Sequence, residues 1–295
     1  MEHIFLNLKR FDIPSSLGGV NSIAPPAKWA EYIISSVKGE LAAMSADAEF
    51  TIFFPEAHII EAAAAGKEGW LLGCQGVHRF DVAPGGNFGA FTTGRTAKSM
   101  AALGCDYTII GHCEERRDLG EIISEGGGTD LDAVNRILNQ EVLRAQEAGL
   151  KVLYCIGEKA EETGRWIEVI ENQLKVGLEG ADLSKVVIGY EPLWAIGPGR
   201  PVPTAEDIRK VALFSKSVVP CRIVYGGGLK EENAPMIASI DEMDGGLIAL
   251  TSFSGDIGFY PDGYLRIIKS YFAGRQSHSL SLIHISEPTR RRGIS

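Results

Sequence analysis

The apolar residues of this chain fall into short runs that are rich in β-branched and aromatic side chains. The runs span residues 3–9, 50–56, 70–77, 106–112, 151–158, 185–191, 221–227 and 245–253. Each run is nearly continuous in apolar residues, a pattern typical of strands that are covered on both faces. The pattern therefore predicts eight buried β-strands.

The segments between these strands have helical periodicity. In residues 131–149 the apolar side chains recur at steps of three and four, with Asp130 as a candidate N-cap and Gly149 where a helix would end. Eight strands alternating with helices predict an α/β fold, either a closed barrel or an open doubly wound sheet. The count of eight, and the lack of a GxGxxG motif after the first strand, favour a (β/α)8 TIM barrel.

No linker or low-complexity segment divides the chain, so we predict a single barrel domain over residues 1–276. We predict that residues 277–295 form a disordered, non-native tail. From Leu280 the chain carries three arginines and one glutamate in 16 residues, and this stretch resembles translated read-through of a transposase-type sequencing adapter. A native, disordered basic tail is the alternative.

Composition narrows the classes of function. The 295 residues carry a formal net charge of −9, which gives the whole chain no attraction for nucleic acid or for an anionic membrane. No apolar run approaches the length of a signal core or a membrane span. The five cysteines are scattered, without CxxC or zinc-like spacing, so the predicted location is a reducing cytoplasm.

Candidate chemistry lies at the strand ends, because the C-terminal ends of barrel strands carry active sites. Glu191 follows the sixth run and enters the segment GYEPLWAIGPGRPVP. Pro192 and Pro201 stiffen this segment around an apolar tip, which suits a lid that closes as a body and expels water. Under a lid the pKa of Glu191 would rise and make it a better base, whereas the alternative is a solvated or ion-paired carboxylate.

A histidine, a lysine and an asparagine are candidate partners for this carboxylate. His112 ends the fourth run and precedes Cys113. Adjacent residues on an extended strand point to opposite faces, which favours a polarising or proton-shuttling His112 over a Cys–His nucleophilic pair. Asn7 and Lys9 are two residues apart, so on a strand both would project from the same face.

Two further groups of residues bear on an anionic substrate. Lys9 at the barrel mouth needs a counter-charge, which a substrate anion or an ion pair with Glu114 or Glu115 could supply, and the two roles are not exclusive. Gly197 and the run Gly226–Gly228 would let backbone N–H groups approach an anion closely. Glycines alone are weak evidence, because the chain contains 35 of them.

Taken together, these stretches resemble the triosephosphate isomerase family. YEPLWAIG at 190–197 is similar to its catalytic-glutamate and loop signature, and IIGHCEERR at 109–117 is similar to its histidine motif. Shorter matches are NLK at 7–9, GAFT at 89–92 and YGG at 225–227. The resemblance is collinear from about residue 3 to residue 272.

The resemblance implies an aldose–ketose isomerisation of a small phosphorylated sugar, glyceraldehyde 3-phosphate to dihydroxyacetone phosphate, through an enediolate. It implies that Glu191 is the base and that His112 polarises the oxygens and shuttles a proton between them. Lys9 would stabilise the enediolate, and Asn7 would help to place the substrate.

The resemblance also implies how the remainder of the substrate is held. Gly197 and Gly228 would donate N–H groups to the phosphate, and either Glu114 or Glu115 would support Lys9. It implies no metal and no organic cofactor, and it implies a homodimer that forms through the loop at 85–95.

The chain departs from the family pattern around the phosphate. Gly228 stands where the family has serine, and Ala249 and Leu250 stand where it has a pair of glycines. The third loop carries an insertion at 84–87. These departures leave two alternatives open: a sister isomerase of another short ketose phosphate, such as a tetrulose phosphate, or a non-catalytic barrel that binds sugar phosphates.

Overall fold

A computed structural model describes residues 1–130, 132–196 and 199–286, with side chains as far as Ser281. Its eight parallel strands form a closed barrel in chain order, which confirms the predicted (β/α)8 fold. The strands are β1 (Glu2–Asn7), β2 (Ala48–Phe54), β3 (Leu71–Cys74), β4 (Tyr107–Ile110), β5 (Lys151–Ile156), β6 (Val186–Tyr190), β7 (Arg222–Tyr225) and β8 (Gly245–Ile248).

Helices connect successive strands and cover the outside of the barrel. In the described part of the chain they are α1 (Trp29–Met44), α2 (Ile59–Ala64), α3 (Ala97–Ala102), α4 (Cys113–Glu125), α5 (Asp132–Glu147), α6 (Trp166–Gly177), α7 (Ala205–Val218), α8 (Ala234–Ala238) and α9 (Pro261–Ser286). The Asp130 carboxylate accepts from the Asp132 N–H at 3.0 Å, the contact expected of an N-cap at α5. None of the helices in these ranges is long and apolar enough to cross a membrane.

Two apolar layers explain why the strands are apolar on both faces. Inside the barrel pack Phe5, Phe53, Tyr107, Ile109, Leu153, Cys155, Val187, Val224 and Leu247. A larger buried cluster fills the space between the strands and the outer helices. Alternate side chains of each strand enter opposite layers, so most strand positions are buried and apolar. Charged residues in the strands lie near their N-terminal ends, as Glu49, Lys151 and Arg222 do.

The seam between β1 and β8 closes the barrel and requires a glycine. His3 lies opposite Gly245 in the parallel register, and the His3 N–H donates to the Asp244 carbonyl at 2.8 Å. A Cβ at Gly245 would lie 1.8 Å from the His3 carbonyl oxygen, and the φ of Gly245 is +139°. A larger residue would therefore separate the two strands.

The strands end earlier than predicted, before the polar residues that follow the apolar runs. β1 ends at Asn7, β4 at Ile110 and β8 at Ile248, whereas the runs extended to residues 9, 112 and 253. The candidate residues after these ends lie in turns and at helix starts. Their side-chain directions are consequently set by loop geometry and not by strand alternation.

The last helix also differs from the predicted domain boundary. α9 continues to Ser286, so residues 277–286 are helical where a disordered tail was predicted. The chain has no glycine or proline between Gly274 and Pro288 that would end the helix. Residues 287–295 lie outside the described ranges, and the non-native origin of the tail stays a prediction.

Candidate active site

Glu191 lies at the C-terminal end of β6 and is buried, with 2% of its surface exposed. Its backbone N–H donates to the Ile156 carbonyl at 2.8 Å, which extends the pairing of β6 with β5 by one residue. One carboxylate oxygen, Oε2, accepts from the Cys113 N–H at 2.9 Å, and Oε1 lies 3.2 Å from His112 Nε2. The alternative of a solvated strand-end carboxylate is therefore wrong.

Burial raises the pKa of Glu191 to about 8, and the Cys113 N–H and the charge of Lys9 oppose that rise. A carboxylate with such a pKa is a stronger base than an ordinary glutamate and is still partly ionised near neutral pH. Gly226 helps to place it, since a Cβ there would lie 2.9 Å from Glu191 Cγ.

His112 is the N-cap of α4, and its Nδ1 accepts from the Glu114 N–H at 3.3 Å. A neutral imidazole that accepts at Nδ1 carries its proton at Nε2, so Nε2 donates to Glu191 Oε1. Burial, followed by the charge of Lys9, lowers the pKa of His112 to about 4. The ring is consequently neutral at physiological pH and presents one N–H to the site.

Cys113 lies closer to His112 than strand alternation predicts. Its Sγ is 3.8 Å from Nδ1 and 4.0 Å from Nε2 of His112, because Cys113 is the first residue of α4 and not part of a strand. The prediction of opposite faces is wrong for this pair. Burial and the neighbouring Glu191 raise the pKa of the thiol to about 12, and this keeps Cys113 protonated.

Lys9 reaches the site from a turn after β1, not from the strand face that the spacing predicted. Its φ is +40°, a left-handed conformation that is uncommon for a residue other than glycine. Asn7 Oδ1 accepts from the Lys9 N–H at 3.0 Å, and Gln75 Nε2 donates to the Lys9 carbonyl at 2.9 Å. The Gln75 side chain also donates to Asn7 Oδ1 at 3.2 Å, so these two residues hold the strained turn in place.

The two neighbouring glutamates have different partners. Glu114 Oε1 accepts from Lys9 Nζ at 2.8 Å and therefore supplies the counter-charge. Glu115 turns away and accepts from the Gly111 N–H at 2.6 Å, where it is hydrogen-bonded to Glu141. Burial raises the pKa of Glu115, and burial together with Glu115 raises the pKa of Glu141 to about 10, so the pair holds a proton.

A cavity of about 540 Å³ opens beside these residues. The predicted site residues that line it are Asn7, Lys9, His112, Glu114 and Glu115. Gln75 and Arg95 line it as well, although neither residue belongs to a motif that the sequence predicts to be functional. Its volume lies within the usual range for small-molecule sites.

The predicted phosphate-binding residues do not line this cavity. Gly228 follows β7 with a φ of +92°, and its carbonyl accepts from Asn233 Nδ2 at 3.0 Å. Ala249 and Leu250 follow β8 and are half-buried. Gly197 lies outside the described residues. Lys230, which lies outside the predicted motifs, has its Nζ 4.0 Å from the Phe253 ring centre in the loops after β7 and β8.

The start of the predicted lid is attached to the barrel. Trp194 Nε1 donates to Glu158 Oε1 at 2.8 Å, and the Tyr190 hydroxyl donates to the same oxygen at 3.0 Å. Glu158 follows β5 and is 3% exposed, so the contact joins the lid to a buried group. Ile196, further along the lid, is 40% exposed. An apolar side chain left in solvent at this place is available to cover a ligand.

Comparisons with known proteins agree on one family. The sequence model of triosephosphate isomerase matches residues 26–270. The triosephosphate isomerase of Prosthecochloris aestuarii is 33% identical over 241 residues, which cover 77% of this chain and 88% of that protein. The triosephosphate isomerase of Mycoplasmopsis pulmonis is 35% identical over 175 residues, covering 58% of this chain and 65% of that protein.

A solved structure extends the likeness to the fold. The crystal structure of triosephosphate isomerase from Bartonella henselae superposes with a TM-score of 0.65 at 26% sequence identity. The superposition covers 92% of this chain and 99% of that chain. The whole barrel is therefore shared, and the likeness is not limited to the residues around the site.

Proposed function

This chain belongs to the triosephosphate isomerase family, a family of isomerases, and from that premise we propose that it interconverts an aldose phosphate and a ketose phosphate. The substrates that the family suggests are glyceraldehyde 3-phosphate and dihydroxyacetone phosphate. The observation that carries the proposal is the buried Glu191 carboxylate, with its pKa raised, 3.2 Å from the Nε2 of a neutral His112. A protein that only bound sugar phosphates would not need a base of this kind.

In this mechanism Glu191 removes a proton from the carbon beside the carbonyl group and returns it to the neighbouring carbon. His112 donates its Nε2–H to the carbonyl oxygen and moves a proton between the two oxygens. Because His112 is neutral, the acidity of its Nε2–H is close to that of the enediol hydroxyl group. The proton can therefore move between the ring and the substrate oxygen in either direction. Lys9 stabilises the developing negative charge, and Glu114 and Asn7 keep Lys9 in position.

The lid completes the site when substrate binds. Closure of the segment that begins at Pro192 would exclude water from the enediolate and prevent loss of its phosphate. Gly197 and Gly228 would donate backbone N–H groups to the phosphate. All the steps are proton transfers between the substrate and side chains, so the reaction requires no metal and no organic cofactor.

A second candidate substrate is a longer ketose phosphate, such as a tetrulose phosphate. Gly228 has no side chain, and the Lys230 Cε lies only 3.9 Å from the place where a Cβ of Gly228 would be. With Lys230 beside Gly228, the positive charge that binds the phosphate would lie farther from the barrel. Ala249 and Leu250 in place of paired glycines change the same end of the site.

We also propose that the protein acts in the cytoplasm as a homodimer that contacts its partner through the loop at 85–95. All five cysteines are free, which suits a reducing compartment. The loop places Phe88 89% exposed with a φ of +54°, an arrangement that presents an apolar ring to a partner surface.

The test uses the full chain in heavy water, with glyceraldehyde 3-phosphate, dihydroxyacetone phosphate and four-carbon ketose phosphates as substrates. We expect turnover of at least one of them, with solvent deuterium on the carbon that receives the proton. Glu191→Gln should lower kcat by at least about 100-fold, since it removes the base. Glu168→Gln, at a side chain that is 74% exposed, is the matched control and should leave turnover unchanged.

Two results would contradict the proposal. Failure to convert any of these substrates would exclude the isomerase and leave a non-catalytic barrel. Turnover by Glu191→Gln as fast as by the parent chain would remove Glu191 as the base. Conversion of four-carbon substrates alone would support the proposed proton-transfer chemistry. It would identify the chain as an isomerase of a longer ketose phosphate.

A further inference from the structure

A buried histidine and a buried aspartate meet beside the turn that carries Lys9, and the proposed isomerisation gives neither of them a role. Asp12 Oδ2 lies 3.0 Å from Nε2 of His58, and the two side chains are 9% and 7% exposed. Asp12 belongs to the segment after β1, whereas His58 lies between β2 and α2. The pair therefore joins two connections at the C-terminal ends of neighbouring strands.

The contact is a hydrogen bond from the imidazole to the carboxylate. The Asp12 carboxylate is paired with Arg10, whose Nε donates to Oδ1 at 3.1 Å and whose Nη2 donates to Oδ2 at 2.9 Å. A carboxylate in an ion pair only accepts hydrogen bonds, so His58 Nε2 carries a proton and donates it. The His58 ring packs on Trp29, with 5.1 Å between the ring centres. Because Trp29 is buried at the start of α1, the hydrophobic core holds the histidine in place.

The backbone of Asp12 is held as well. Its carbonyl accepts from Asn21 Nδ2 at 3.1 Å, and the same nitrogen donates to the Ala24 carbonyl at 2.9 Å. The Asn21 N–H donates to the Ile13 carbonyl at 2.9 Å, so the chain folds back on itself directly after Asp12. A Cβ on Gly19 would lie 2.1 Å from the Ile13 carbonyl oxygen, which shows how closely the two arms of this loop approach. Side chain and backbone contacts together fix Asp12.

Lys9 lies three residues before this fixed point, in a turn with a left-handed backbone. The Phe11 N–H donates to the Leu8 carbonyl at 3.0 Å, which closes the turn around Lys9 and Arg10. The φ of Lys9 is +40°, a strained value for a residue with a side chain. Such strain persists only where the surrounding contacts enforce it. Here β1 holds the turn on one side and Asp12 holds it on the other.

We propose that Asp12 and His58 are positioning residues, which keep Lys9 in the conformation that places its ammonium group in the site. Neither of the two lines the cavity of about 540 Å³, whereas Lys9 does, so their effect on the site passes through the lysine. The consequence for catalysis rests on the proposed function, in which Lys9 stabilises the enediolate. Release of the turn would move Lys9 Nζ and break its 2.8 Å ion pair with Glu114.

Two substitutions of His58 separate the hydrogen bond from the volume of the side chain. His58→Leu removes the donor, and we expect kcat/KM to fall by about 10- to 100-fold, because displacement of a catalytic charge is costly. His58→Gln keeps an N–H donor near the place of Nε2 and should retain most of the parent activity. His3→Leu is the matched control, since His3 Nδ1 lies 3.3 Å from Glu49 Oε1 near the opposite end of β1. Its kcat/KM should equal that of the parent chain.

A double-mutant cycle with Lys9→Met shows whether His58 acts through the lysine. If it does, His58→Leu should cause little further loss of kcat/KM in the Lys9→Met chain, since the charge that it positions is already gone. A purely structural effect would lower kcat/KM by the same factor in both backgrounds. Equal factors, or a His58→Leu chain as active as the parent chain, would overturn the proposal.

Trypsin digestion of the folded chain tests the turn without any need for activity. Trypsin cuts after Lys9 and Arg10 only when this segment opens, and mass spectrometry identifies the cleaved bond. We expect cleavage at these two positions to be at least about 10-fold faster in His58→Leu than in the parent chain or in His3→Leu. Cleavage after Lys210 of α7 is the internal reference, because global unfolding accelerates cleavage at every position.

The outcomes separate the two proposals. Faster cleavage confined to Lys9 and Arg10, in a chain that converts no sugar phosphate, would support the role of the Asp12–His58 pair and contradict the isomerase. Turnover with no change in cleavage or in kcat/KM would support the isomerase and contradict the role of the pair. Equal acceleration at Lys210 would indicate a loss of global stability and overturn the positioning role.

Discussion

Burial determines the chemistry of Glu191, and its neighbours determine where it points. The carboxylate is 2% exposed but makes two polar contacts, one with a backbone N–H and one with an imidazole N–H. Loss of hydration without loss of hydrogen bonds raises the pKa while keeping the oxygens in fixed positions. A base with this combination is both strong and oriented before substrate arrives.

The pH dependence of kcat/KM should report this base. Because Glu191 must be ionised to accept a proton, activity should fall as the pH falls through its pKa of about 8, approaching a tenfold loss per pH unit below it. His112 should add no second change above about pH 5, since its pKa is lowered to about 4. Steady-state rates from pH 5 to pH 10 measure this, and an acid limb near pH 4 alone would contradict the assignment.

Substitution of Gly226 tests how precisely the Glu191 carboxylate must be placed. In Gly226→Ala the new Cβ would lie 2.9 Å from both Glu191 Cγ and the Tyr190 carbonyl oxygen, so the side chain must shift. We expect kcat to fall by about 10- to 100-fold with little change in KM, as small displacements of a catalytic group are costly.

A matched glycine serves as the control for this variant. Gly164 is exposed, and a Cβ there would have nothing within 4 Å. Gly164→Ala should therefore leave kcat unchanged. If Gly226→Ala were as active as this control, the barrel would be flexible enough to accommodate the shift and Gly226 would have no positioning role.

At the scale of elements, the ends of strands and helices bring the site together. β4 ends before His112, and α4 begins with Cys113, so that this helix start directs a histidine, a thiol and an N–H toward Glu191. The contact of Trp194 with Glu158 joins the lid to β5 in the same manner. The residues that make these contacts lie next to the ends of rigid strands and helices. Such positions hold side chains more precisely than long loops do.

The last helix, α9, attaches to the start of the chain through Arg275. This side chain donates to Glu2 at 3.0 Å and to the carbonyls of Ala238 at 2.9 Å and Met243 at 3.2 Å. Arg275→Ala should lower the free energy of unfolding by about 2–4 kcal/mol, because it removes the donor to Glu2 Oε1 and to the carbonyls of Ala238 and Met243, while the Tyr271 hydroxyl still donates to Glu2 Oε2 at 2.6 Å. Urea denaturation measures the change.

Arg266 provides a control on the same helix. It pairs with Asp262 and Glu231, but its side chain is 54% exposed and water screens both contacts. Arg266→Ala should cost no more than about 1 kcal/mol. Equal losses for the two variants would mean that the contacts of Arg275 with backbone carbonyls contribute little.

At the scale of the whole molecule, the proposed dimer depends on the loop at 85–95. Its base is held by the Lys98 N–H, which donates to Asp81 Oδ2 at 2.9 Å, while its tip carries Phe88 in solvent. A fixed base with an apolar tip resembles one half of an interface. Since a dimer places the same loop on both copies, one substitution changes the interface twice.

Phe88→Asp should convert the proposed dimer into a monomer. The charged side chain would have to be buried without a partner at the contact, which is costly. Sedimentation equilibrium of the variant and the parent chain measures the mass of each. Ile60→Asp, at a residue of α2 that is 67% exposed, is the control and should leave the mass unchanged. A parent chain that is already monomeric would contradict the interface.

The barrel and the candidate base, Glu191, were both predictable from the amino-acid sequence. Strands covered on both faces are apolar at most positions, so eight apolar runs are visible in the sequence alone. The lid segment is similarly local, because two prolines and an apolar tip around Glu191 are adjacent in the chain. Patterns of this kind depend only on residues that are adjacent in the chain, so a single sequence is enough to detect them.

The contacts between side chains of the site depend on the folded chain. Lys9 and Glu114 are separated by 105 positions, and no local pattern could choose Glu114 over Glu115. The closeness of Cys113 to His112 depends on where β4 stops and α4 starts, which apolar runs locate only to within a few residues. Contacts across the mouth of a closed barrel are set by its register and by loop conformations such as the positive φ of Lys9, and these are properties of the folded chain.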